Sequence, residues 1–183
     1  MFDVLGIIMK IKIILVIFLI NGYLSFSQNN MDELYMEAGE LLADTIFIMD
    51  DEYSVFNIFG FYNNPFNNEI DFCDYIFINS NYNCSVYSIT DGEVVEIGYD
   101  NEMNNYIKIK YNDFIIEYGN LINIIVNIGD SIIMGQIIGN GGLLSEPYGN
   151  GIKIRIQYKS VTINPNNILN YDENLNTNRI YTN

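Results

Sequence analysis

The chain has 183 residues, a formal charge of −15 and no histidine. That charge excludes nucleic acid as a partner and repels anionic lipid, because phosphate groups are turned away. The missing histidine excludes a Ser-His-Asp triad, a Cys-His dyad and any histidine-ligated zinc.

At 49% hydrophobic and 17% charged the chain can bury a core, and its length suits one domain. Met9-Lys10-Ile11-Lys12 is a basic opening, and residues 13–20 are apolar. Ser25-Phe26-Ser27 supplies small residues for cleavage. Together they predict a secretory signal over residues 1–27, starting at Met1 or Met9, with Gln28 as the mature first residue. A membrane anchor is the alternative, but Asn21-Gly22 cuts the apolar run below the ~18 residues a span needs. The expectation is therefore an exported chain in the periplasm, the cell envelope or outside the cell, touching a membrane only through an uncleaved signal. Residues 28–183 hold 6 basic and 22 acidic side chains, a charge of −16.

Residues 28–44 read as a short helical lead. Asn30 can cap it, acids fill its first turn, and Leu34, Tyr35, Ala38, Leu41 and Leu42 recur at helical spacing. From residue 45 to 169 the pattern is β. Strands are expected in 45–50 and 52–62, followed by a turn-rich loop over 63–69. Residues 85–100 read as a hairpin with Asp91-Gly92 at its tip. In 105–113, Ile107 and Ile109 alternate with Lys108 and Lys110, and 114–121 is a further strand. Residues 127–142 read as strand, tight turn and strand. In 151–158, Ile152, Ile154 and Ile156 face one way, and Lys153, Arg155 and Gln157 the other. Residues 160–165 close the core, and 170–183 form a polar tail. The segments "ITDGEVVEIG" and "VNIGDSIIMG" echo each other weakly, as two copies of one β unit would. Many short strands between glycine turns predict a mainly β, closed or folded-over antiparallel core with one short N-terminal helix. In an exported chain Cys73 and Cys84 read as a disulfide; a thiolate metal pair would need more partners than the sequence offers.

Five blocks, in order, resemble the LytM/lysostaphin-type murein zinc endopeptidases. Phe59-Gly60 leads through Pro65 to Asn67-Asn68-Glu69-Ile70-Asp71, where the family has H-x-x-x-D. Val86 to Val94 resembles V-x-A-x-x-D-G-x-V, and Tyr118-Gly119-Asn120-Leu121 resembles Y-x-H-L. Val126 to Gly139 follows V-x-x-G-D-x-V-x-x-G-Q-x-I-G. Gly151-Ile152-Lys153-Ile154-Arg155, ahead of Asn164-Pro165, stands at H-L-H-F-E. Carrier domains with a similar hairpin display a lysine at its tip; here the tips are Asp91-Gly92 and Asp130-Ser131.

The resemblance implies an antiparallel sheet of the barrel-sandwich (duplicated hybrid motif) type over residues 45–169. It implies zinc as the family's cofactor, held by two histidines and an aspartate with two accessory histidines beside it. Position by position, the ligands become Asn67, Asp71 and Lys153, and the accessory histidines become Asn120 and Gly151. Lys110 stands where many relatives have another histidine. One ligand of three survives, so no cofactor is expected here. Lys153 is expected to take the metal's place and pair with Asp71. Acidic groups near Asp71 (Glu69, Cys73, Asp74) match no calcium loop. Tyr62, Tyr118, Tyr148 and Tyr158 read first as ordinary sheet surface and second as the lining of an old peptide groove. The reading is a catalytically inactive relative that binds peptidoglycan or regulates a wall hydrolase. The alternatives are an active endopeptidase with an atypical metal site and a structural or interaction protein of the envelope.

Overall fold

In the computed structural model the described residues are 28, 30–39, 54–56, 59–63, 69–143, 149–167 and 169. The expected signal (1–27), the strand over 45–50, Asn67, Tyr148 and the tail lie outside them. The chain divides into two compact units, Met1–Glu40 and Leu41–Asn183. In the first, residues 30–39 are helical, and Gln28 Nε2 donates to Asp32 Oδ1 at 3.0 Å, one turn on.

The second unit is β. Its strands, in chain order, are β1 (Ser54–Phe56), β2 (Gly60–Asn63), β3 (Ile70–Cys73), β4 (Ile76–Asn79), β5 (Ser85–Tyr87), β6 (Gly92–Asp100) and β7 (Asn104–Tyr111). They continue as β8 (Phe114–Gly119), β9 (Leu121–Ile122), β10 (Ser131–Ile132), β11 (Ile137–Leu143), β12 (Asn150–Tyr158) and β13 (Val161–Ile163). Eleven strands form one sheet along the path β1-β4-β12-β8-β7-β6-β10, with β11 pairing β5, β9 and β12, and β13 pairing β12. β2 and β3 form a separate two-stranded ribbon. Every pairing is antiparallel, as the short alternating segments predicted.

The core follows from the period of two. Ile107 and Ile109 on β7, Ile116 and Tyr118 on β8, and Ile152, Ile154 and Ile156 on β12 are all buried completely. Each such aliphatic side chain contributes about 1.5–3 kcal/mol by leaving water. The Phe114 and Tyr158 rings meet at 4.5 Å where β8 and β12 lie side by side. Asparagine supplies the sharp bends. Asn83, Asn104, Asn112, Asn120 and Asn123 all have positive φ, a conformation this residue tolerates better than most.

Two expected hairpins are not hairpins. β5 does not turn back onto β6; it pairs β11, while β6 pairs β7 and β10. The segment between them is bound elsewhere: Ser88 N–H donates to Gln136 O at 2.9 Å, and Asp91 Oδ1 accepts from Met134 N–H at 2.7 Å. Residues 127–142 likewise split, since β10 joins β6 and β11 joins β5. A local turn signal names a bend but not the strand it delivers.

Candidate functional site

β12 is the strand that assembles the polar face. It lies between β8 on one side and β4, then β13, on the other. Its register sets Lys153 beside Gly119 and Phe77, and Arg155 beside Glu117. With the isoleucines turned into the core, Lys153 and Arg155 share the opposite face.

Lys153 is 8% exposed. Its ammonium donates to the backbone carbonyl of Glu102, and it lies 5.2 Å from the Tyr75 ring centroid and 5.7 Å from that of Phe77. Burial pulls this ammonium below the ordinary lysine value, and the Glu102 charge pushes the other way. Among the described residues no ion pair joins Lys153 to Asp71. Asp71 lies in the ribbon opposite Tyr62, while the Lys153 ammonium bonds the turn that carries Glu102.

Arg155 is the hub of the face. Its Nη2 donates to Asp74 Oδ1 at 2.7 Å and to Glu102 Oε2 at 2.6 Å, and its Nη1 donates to Glu117 Oε2 at 3.1 Å. Burial raises the Glu117 carboxyl above the usual range, and Arg155 pulls it back. Glu117 neighbours Lys108 across the strands, and Lys108 neighbours Glu96. Lys108 Nζ donates to Glu96 Oε2 at 2.9 Å, and Tyr106 Oη donates to Glu96 Oε1 at 2.5 Å. Those bonds hold the Glu96 carboxyl below its ordinary value, Tyr106 first. Four adjacent strands thus carry charges of alternating sign: Glu96, Lys108, Glu117, Arg155. The sequence reading missed this ladder, because its signal is spread over four segments and appears only when their registers are known.

Asn120 and Gly151, expected at the accessory-histidine positions, do come together. Asn120 Nδ2 donates to Gly151 O at 2.8 Å, and Asn120 Oδ1 accepts from Asn104 Nδ2 at 2.9 Å. Gly151 has φ +143°, and a Cβ there would collide with the Ile78 carbonyl oxygen.

Other expected sites fall apart. Tyr118 is wholly buried, and its hydroxyl accepts from Ile89 N–H at 2.8 Å, so it belongs to the core and not to a groove. Tyr158 is buried against Phe114 for the same reason of strand parity. Tyr62 is half-buried in the ribbon. Cys73 and Cys84 are not joined to one another. Cys73 ends β3 with its thiol toward Tyr75 O at 3.3 Å, while Cys84 is held by its backbone to Asn81 and Gly141. Burial pushes the Cys73 thiol up to about 11, so it is no ready thiolate.

Residues 74–165 match peptidase family M23. The chain belongs to peptidase family M23. The matched stretch contains Asn120, Gly151, Lys153 and Arg155. Solved structures share the fold. The catalytic domain of the antimicrobial peptidase lysostaphin from Staphylococcus simulans is 22% identical, with 69% of this chain and 93% of that chain covered and a TM-score of 0.54. A chain of a SpoIIIAH–SpoIIQ complex is 22% identical, with 68% and 99% covered and a TM-score of 0.56. A zinc-containing peptidase from Vibrio cholerae is 21% identical, with 64% and 37% covered and a TM-score of 0.54. At such identities the likeness is one of fold. No curated protein sequence matches the chain.

M23 implies zinc, and the residues described here do not fit it. Lys153, expected at the third ligand position, carries an ammonium already bonded to a carbonyl. Of the carboxylates around this face, Asp74, Glu102 and Glu117 are engaged by Arg155, and Asp100 accepts from the N–H groups of Glu102 and Met103. Among the described residues no group of three His, Cys, Asp or Glu side chains is placed to hold a metal ion. What the face does chemically is neutralise itself: cations and carboxylates pair within the sheet.

Proposed function

We propose that this chain is an exported, catalytically inactive M23 protein that works at the cell wall by binding peptidoglycan or by regulating a separate wall hydrolase. One observation carries the reading. Lys153 stands at a metal-ligand position, and its buried ammonium is satisfied by the Glu102 carbonyl and two aromatic rings. A second cation brought to that place would meet like charge at short range, with Asp74, Glu102 and Glu117 already engaged by Arg155. Loss of the zinc-bound water removes the nucleophile that such peptidases use. The presence of this fold in a SpoIIIAH–SpoIIQ complex supports protein binding as a role within its reach. The basic and apolar segments of residues 9–27 support export.

The test is to incubate the purified chain with insoluble peptidoglycan and excess zinc, then assay for soluble peptide release, zinc per chain and co-sedimentation. The expected result is no release, no retained zinc, and either co-sedimentation with peptidoglycan or a changed rate of an added wall hydrolase. Zinc-dependent release would overturn the reading and restore the active endopeptidase.

A further inference from the structure

Lys153 and Asn120, expected at a ligand and an accessory position of the family's site, and their neighbour Arg155 all bind one piece of this chain. That piece is the 101–103 turn between β6 and β7. Lys153 Nζ donates to Glu102 O. Arg155 Nη2 donates to Glu102 Oε2 at 2.6 Å. Asn120 N–H donates to Met103 O at 2.6 Å, and Asn104 Nδ2 reaches Asn120 Oδ1 at 2.9 Å. The turn is also tied within itself: Asp100 Oδ1 accepts from the N–H of Glu102 at 2.8 Å and of Met103 at 2.6 Å.

Met103 is the unusual member. An apolar side chain at the tip of a hairpin is normally in water, yet Met103 is fully buried. Its room comes from Gly119. A Cβ on Gly119 would lie 2.7 Å from Met103 O and 2.8 Å from Met103 Cε. Gly119 is not among the residues with positive φ, so glycine serves there for space and not for conformation. A hairpin of nine- and eight-residue strands closes without such tethers.

We propose that the 101–103 turn is a built-in strap that seals this end of the polar face, with Met103 as its plug and Lys153 and Arg155 as its anchors. Of the two anchors the buried Lys153 ammonium is the stronger, because a hydrogen bond from an ionised donor is about twice as strong as a neutral one, whereas the half-exposed Arg155–Glu102 bond chiefly fixes the position of the turn. The groups facing the Lys153 ammonium are Glu102, Asp100, Cys73 and Arg155, together with the rings of Tyr75 and Phe77. The strap converts the place of the family's metal into a closed joint. A partner of this chain is then met by some surface other than Asn120, Gly151 and Lys153. This goes beyond the binding role, which an open face would serve equally well.

Amide hydrogen exchange on the full chain tests it, read at Met103 and Asn120, with Ile109 and Ile116 in β7 and β8 as references. Two variants loosen the strap by different routes: Gly119→Ala removes the room for Met103, and Lys153→Met removes an anchor. In the unaltered protein, Met103 and Asn120 are expected to exchange within about tenfold of the references. In each variant they are expected to speed up by about tenfold or more while the references hold. Exchange at Met103 and Asn120 as fast as in an unstructured peptide, in the unaltered protein, would overturn the strap. So would two folded variants in which those amides do not change. Should a variant unfold, its references speed up too, and the unaltered protein then decides. Peptidoglycan release plays no part in this readout, so failure of the strap and failure of the binding role are distinguishable.

Discussion

Arg155 is the residue whose loss tells most about how this face is held. The perturbation is Arg155→Met, which keeps the length of the stem and removes the guanidinium. Its pair with Glu117 is the buried one, the two side chains being 11% and 5% exposed. Asp74 is 27% exposed and Glu102 50%. Removing one partner of a buried pair costs ~3–5 kcal/mol, and an exposed pair is worth ~0–1 kcal/mol. The Glu102 bond therefore adds little, and the expected loss is about 3 kcal/mol at neutral pH. That is a large share of the ~5–15 kcal/mol a domain holds. The pH dependence sharpens the test. Burial sets the Glu117 carboxyl above 4.5 in the folded chain, so folding takes up a proton between that value and the folded one. A carboxyl raised in this way loses stability as pH rises through the window. Without Arg155 the folded value climbs further, so the deficit of the variant is small in acid and grows with pH. Urea unfolding followed by tyrosine fluorescence at pH 5 and pH 8 reads both. Adding Glu117→Gln to the variant removes the stranded charge and should recover about 1 kcal/mol or more at pH 8. A loss under about 1 kcal/mol, or an equal loss at both pH values, would refute the argument that the Glu117–Arg155 pair is buried and coupled.

Gly151→Ala should cost about 3 kcal/mol or more, because its Cβ meets the Ile78 carbonyl oxygen and its φ is +143°; a thermal midpoint unchanged from the parent would show that β4 and β12 lie further apart. Tyr118→Phe strands the buried Ile89 N–H and should cost ~1–3 kcal/mol by denaturant titration, whereas a neutral result would return the hydroxyl to solvent. The β12–β13 turn places Lys159 and Ser160 at φ +48° and +65°. Replacing them together with Asn-Gly should therefore raise stability by ~0.5–1 kcal/mol, and a fall in the thermal midpoint would contradict the strain assigned to that turn.

Much of the architecture was legible because β structure writes itself at a period of two. The isoleucines of 107–109 and 152–156 named the buried faces of β7 and β12 before any contact was known, and all of them are buried. What alternation does not write is the partner. Asp91-Gly92 looked like a hairpin tip, yet residues 88–91 are bound to the 134–136 region, and β5 goes to β11. Tyr118 looked available for a groove, but its place on β8 turns it inward, where its hydroxyl is 29 residues in sequence from the amide it serves.

The site divides in the same way. The residues alone determined that no histidine is present to ligate a metal, and the order of the family's blocks set the expectation that Lys153 stands at a ligand position, since identity and order need no coordinates. They also determined the family's blocks, because turn glycines and alternating strands are local properties. Only the tertiary structure decided what Lys153 and Arg155 do. Lys153 spends its charge on a backbone carbonyl 51 residues away, a group every residue carries and no motif can mark. The ladder of Glu96, Lys108, Glu117 and Arg155 exists only when four strands lie in one register, and register is fixed by the sum of many weak pairings across the sheet rather than by any single segment.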